Sequence, residues 1–71
     1  MKLKTINYIN NLLIEYEKVT RDARDMARKA KEKAKEENAE NYETLKEVYD
    51  RAFNSWQDAS RTLEDFEDQE W

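Results

Sequence analysis

Five carboxylates crowd the last eight residues of this 71-residue chain: Glu64, Asp65, Glu67, Asp68 and Glu70. At that spacing they could collect a divalent cation or serve as an acid and base pair. A working pair needs a cleft that pushes two pKa values apart, whereas carboxylates at an open helix end stay solvated. The chain has no His and no Cys, so it lacks the commonest general base, the usual transition-metal ligands and the usual activated nucleophiles. It has no Gly either, which excludes phosphate-cradling loops and the tight turn of a calcium-binding EF-hand. The sequence therefore reads as non-enzymatic, with no cofactor and no metal. What remains is the chemistry of contact.

Aromatic residues lie among these carboxylates, Phe66 inside the cluster and Trp71 after it. Two readings follow: a solvated acidic end that keeps the chain soluble, or an acidic docking surface for a basic protein groove, in imitation of nucleic-acid phosphate. Residues 28–35 are the opposite, with Arg28, Lys29, Lys31, Lys33 and Lys35 close together. Three features argue against direct nucleic-acid binding there. Glu32, Glu36 and Glu37 dilute the field, no aromatic interleaves the cations for base stacking, and the whole chain carries −4. This segment reads instead as a helix surface with spaced pairs such as Arg28 with Glu32 and Lys33 with Glu37. An anionic membrane would need bulky apolar residues opposite the cations, and only Ala is present. No apolar run reaches the roughly 18 residues of a membrane span, and residues 1–14 lack the apolar core of a signal peptide. The expectation is a cytoplasmic protein.

The elements that position these groups are helices. No Gly and no Pro punctuate a chain that is 42% charged and 38% hydrophobic, a makeup suited to long helices or coiled coils. In the second half Tyr42, Leu45, Tyr49, Ala52, Trp56, Ala59, Leu63 and Phe66 recur at alternating steps of three and four, the seam of a packed helix. The first half repeats the pattern with Ile9, Leu12, Tyr16, Val19, Ala23, Met26 and Ala30, and then takes a further step of four to Ala34. The phase is lost around Asn38 and Asn41, two residues that accept left-handed or capping conformations.

These features predict an all-α fold: an antiparallel two-helix hairpin, coiled-coil-like, forming a single domain over residues 1–71. Helix 1 is placed at about residues 5–36, the turn at 37–41 and helix 2 at 42–68. A single continuous helix with a stutter is the alternative. Facing volumes favour the hairpin. A turn near Asn38 and Ala39 sets Leu12 against Phe66, Tyr16 against Leu63, Val19 against Ala59, Ala23 against Trp56, Met26 against Ala52 and Ala30 against Tyr49, so large residues repeatedly meet small ones. Met26, Tyr49, Ala52 and Trp56 become the central layers. Charge agrees, because residues 18–35 hold eight Lys or Arg against three Asp or Glu, while residues 36–71 hold three against twelve. Glu43, Glu47, Asp50 and Asp58 would flank the basic stretch.

Leu3, Ile6, Tyr8, Leu13, Ile14, Val48, Phe53 and Trp71 fall off the seams and widen each apolar stripe beyond what one partner helix can cover. The sequence thus predicts a homodimer, two hairpins forming a four-helix bundle, and a further protein partner. The partner-binding residues are read as Val48, Phe53 and Trp56 along helix 2, with Glu64, Asp65, Phe66, Glu67, Asp68, Glu70 and Trp71 at its end. On this reading the chain is a helical protein-protein interaction module. The alternative is a small acidic inhibitor of a nucleic-acid-binding enzyme, of the kind phages direct against host defence.

Overall fold

The computed structural model describes residues 2–69. Two helices, α1 (Leu3–Glu36) and α2 (Tyr42–Glu67), pack against each other, with no strand among the described residues. They run antiparallel. Trp56 meets Glu17 and Arg24, Tyr49 meets Lys31 nearer the turn, and Phe66 lies by Ile6 and Asn10 at the open end. The hairpin is a rod of 54 × 14 × 12 Å measured over Cα atoms, which excludes the continuous helix.

The turn is built without glycine. Asn38 adopts the left-handed conformation at φ 52°, a region its short polar side chain tolerates better than most. The amide of Ala39 donates to the Ala34 carbonyl at 2.9 Å and that of Asn38 to Lys35 at 3.3 Å, the paired bonds of a Schellman motif with asparagine in the usual glycine position. Ala34, only 5% exposed, lies beneath this reversal. Lys33 and Lys35 occupy the last turn of α1, where cations complement the negative end of the helix dipole.

The expected seam holds on α2, where Tyr42, Leu45, Tyr49, Ala52, Trp56, Ala59, Leu63 and Phe66 are all buried or half-buried. It fails on α1. The residues turned inward there are Ile6, Asn10, Leu13, Glu17, Thr20, Arg24, Ala27, Lys31 and Ala34. Leu12, Tyr16, Val19, Ala23, Met26 and Ala30, expected to face α2, are exposed. Met26 is 70% exposed and is no part of a central layer. Along the rod the disagreement is a single residue, since Trp56 lies over Arg24 instead of Ala23 and Tyr49 over Lys31 instead of Ala30. One residue around a helix is a rotation of about 100°, enough to turn the apolar stripe outward.

The resulting core is thin. Ala34 and Ala59 are the buried hydrophobic residues, and no large side chain among the described residues is fully buried. The ion pairs among them, Glu17 with Arg21 at 3.9 Å and Arg24 with Asp25 at 2.9 Å, both lie within α1. The cross-arm bridges from Glu43, Glu47, Asp50 and Asp58 and the spaced pairs Arg28–Glu32 and Lys33–Glu37 are not formed. Opposite charge on the two arms therefore acts as a field and not through contacts.

Asn10 lies on the inner face near Phe66, and its Oδ1 is buried without a hydrogen-bond partner. An unsatisfied buried acceptor carries its desolvation cost uncompensated. Asn10→Leu is accordingly expected to stabilise the chain by about 1 kcal/mol, read as a higher urea midpoint at unchanged slope. A lower midpoint would contradict this assignment.

Candidate functional site

The inner face of α1 is polar because of what α2 presents to it. Tyr49, Phe53 and Trp56 form a ladder along α2, with ring centroids 6.1 Å and 5.7 Å apart in tilted arrangements. Two α1 cations cover its ends. The Arg24 guanidinium lies 4.3 Å from the Trp56 ring and the Lys31 ammonium 4.2 Å from that of Tyr49. Each cation gains from the ring's negative face while its aliphatic stem covers apolar surface.

Trp56 is held from both sides. Its Nε1–H donates to Glu17 Oε1 at 2.9 Å across the helix pair, and the same oxygen is 3.9 Å from Arg21. Asp25 accepts from Arg24 Nε at 3.2 Å and Nη2 at 2.9 Å, steadying the guanidinium over the indole. The Arg24 hydrogen bond, together with the charges of Arg24, Arg28 and Arg21, lowers the Asp25 carboxyl from its ordinary value against an opposing desolvation. Thr20, also on this face, satisfies its hydroxyl by donating back to the carbonyls of Tyr16 and Glu17, both at 2.9 Å.

Because these polar residues take the inner face, α1 presents a second seam outside. Leu12, Tyr16, Val19 and Met26, at 52%, 47%, 61% and 70% exposure, continue through Ala23 and Ala30 in alternating steps of three and four. Tyr8, also exposed, borders its start. The two seams lie about 100° apart around α1. α2 has no comparable second stripe: Val48 is exposed, and Thr44, Arg51, Ser55, Asp58 and Thr62 surround it along that side.

The residues singled out from sequence separate into three groups. Phe53 and Trp56 belong to the aromatic ladder and are half-buried, whereas Val48 is 44% exposed. Glu64, Asp65, Glu67 and Asp68 are exposed at the C-terminal end of α2, with Phe66 half-buried beside them. Glu70 and Trp71 lie outside the described residues. No family model, curated protein or solved structure matches this chain. Its surfaces must be interpreted from their own chemistry. Among the described residues no group of carboxylates is placed to hold a metal ion, and no helix is long and apolar enough to cross a membrane. A shallow depression at the open end is lined by Ile6, Asn7, Asn10, Phe66 and Glu67.

Two features of this arrangement escaped the sequence pattern, the outward stripe on α1 and the polar clasp on Trp56. A signal for both existed. Glu17, Arg24 and Lys31 recur every seven residues, as do Tyr49, Trp56 and Leu63, so charged residues at heptad spacing match large apolar ones, two of them aromatic, on the facing arm. The acidic end also differs from the basic end of α1: α2 has no basic residue in its last turn, and carboxylates there oppose the helix dipole.

Two tests follow from the clasp. Trp56→Phe keeps a ring in the ladder but removes the N–H, and should cost about 1–2 kcal/mol in urea unfolding; Glu17→Gln, which retains an acceptor, should cost less than Glu17→Ala. Asp25→Asn should lower the urea midpoint at pH 7. Because the folded-state pKa of Asp25 is depressed, its contribution is present above the unfolded value of about 3.9 and is lost as pH falls through the folded one. The midpoints of wild type and Asp25→Asn should therefore converge below about pH 4, and a gap that persists into strong acid would contradict the Arg24–Asp25 coupling.

Proposed function

We propose that this chain is a non-catalytic helical interaction module that self-associates through the outward seam of α1. The observation that carries this reading is the exposed stripe Leu12, Tyr16, Val19 and Met26, a heptad seam without a partner helix. Area supports it. The chain exposes 5760 Å², whereas a compact monomer of 8.6 kDa exposes about 4,700 Å². The excess of roughly 1,000 Å² is the size of one partner's share of a stable interface, about 800 Å². The radius of gyration of 16.2 Å, against about 11 Å for a compact chain of this length, has the same cause.

Two hairpins joined in this way form a four-helix bundle that supplies the core each hairpin lacks, and such a bundle can dock a further protein. Wild type is expected at twice 8.6 kDa by sedimentation equilibrium. Val19→Glu combined with Met26→Glu should raise the dissociation constant about a hundredfold or more, since a charge buried against apolar surface costs several kcal/mol. A helical monomer that stays folded at low micromolar concentration would overturn the proposal.

A second reading is favoured by one feature, the exposed Glu64, Asp65, Glu67 and Asp68 at a helix end whose dipole they oppose. Carboxylates that do not serve helix stability suit an acidic inhibitor of a nucleic-acid-binding enzyme, occupying its basic channel. Their replacement by Gln or Asn should then abolish competition with nucleic acid for a candidate target while helix content is retained. Unchanged competition would remove this reading.

A further inference from the structure

Resting on the self-association proposed above, we infer that the occupant of the outer seam is the same seam of a second copy, antiparallel to it, with the twofold axis beside residue 21. Steric and electrostatic fit choose this register. In a parallel pair Tyr16 would meet Tyr16 and Met26 would meet Met26, while Ala23 and Ala30 would face their own copies, so that crowded layers alternate with empty ones. Antiparallel and centred on residue 21, Leu12 meets the second copy's Ala30, Val19 meets its Ala23, and Tyr16 meets its Met26. Two layers are then large against small, and the third is a sulfur-aromatic contact.

Residues flanking the seam agree. Glu15 borders it one residue before Tyr16 and Lys29 one residue before Ala30, which places each Glu15 beside the second copy's Lys29, twice per dimer. Asp22 meets its own copy at the axis, an exposed like-charge contact that Lys18, one turn earlier, offsets. Sliding the second copy by one heptad, which moves the axis about half a heptad toward the N-terminal side, sets Glu15 against Asp22. The opposite slide of one heptad sets Tyr16 against Lys33 and Leu12 against Glu37. Centring on residue 21 also overlaps the two α1 helices (Leu3–Glu36) over nearly their whole length.

The angle between the seams completes the geometry. A twofold axis perpendicular to an antiparallel α1 pair leaves both α2 helices on one side, and seams about 100° apart set the four helices near the corners of a square. Phe66 lies level with Asn10 within one hairpin, so Glu64, Asp65, Glu67 and Asp68 come level with the second copy's Lys29, Lys31 and Lys33. Acidic and basic charge then share each end of the bundle, which offsets the charge that the isolated hairpin leaves unbalanced.

The chain has no cysteine, so disulfide trapping in the full-length protein reports on introduced thiols alone. Val19→Cys and Ala23→Cys variants, mixed in equal amounts and oxidised, should yield the mixed disulfide at least about tenfold over either symmetric one, resolved by mass. In a second experiment, Glu15→Lys or Lys29→Glu alone should weaken the dimer about three- to tenfold, and the two together should restore it. Predominant symmetric disulfides would overturn the antiparallel register while leaving self-association intact. The mixed disulfide without charge-swap rescue would overturn the Glu15–Lys29 pairing. A folded wild-type monomer at every concentration would overturn both the register and the self-association beneath it.

Discussion

Trp56 donates its indole N–H to Glu17 while its ring lies against Arg24, and these two contacts decide which face of α1 turns toward α2. A partly buried indole needs an acceptor for its single polar hydrogen. An apolar α1 seam contains none. Rotating α1 by one residue supplies the acceptor from Glu17 and brings Arg24 and Lys31 over the aromatic rings. In exchange Leu12, Tyr16, Val19 and Met26 go outside. The thin core, the exposed stripe and the large surface of the lone hairpin are all consequences of that rotation.

A rod of this kind stabilises itself differently from a globular domain. No large side chain among its described residues is fully buried, and the cations that reach across the helix pair, Arg24 and Lys31, cover aromatic rings. Contacts of this type are individually modest and depend on correct alignment. They specify register well and supply little bulk apolar burial. Specification inside the hairpin and burial outside it are thus assigned to different faces of the same helix, an economical division for a chain too short to build a full core.

The two ends of the rod are also unequal. At the turn, Asn38 and the basic last turn of α1 satisfy both the backbone and the helix dipole. At the open end, α2 finishes among carboxylates that its own dipole disfavours. Antiparallel packing relieves part of this, because the positive end of α1 lies alongside.

Periodicity by itself determined that the chain is helical and that α2 packs through Tyr49, Trp56 and Leu63, since apolar residues at steps of three and four can share a face only on a helix. Large-against-small matching located the pairing of the arms to within one residue. Which face of α1 turns inward was decided only by the tertiary structure. Sequence pattern ranks positions by hydrophobicity, and the apolar series from Leu12 to Ala30 outranked the series Glu17, Arg24 and Lys31. The chosen face depends instead on groups that gain value only in each other's presence: a carboxylate for an indole N–H, cations for two ring faces, and Ala27 and Ala34 where the helices approach. Such complementarity belongs to the pair of helices, so neither arm displays it alone.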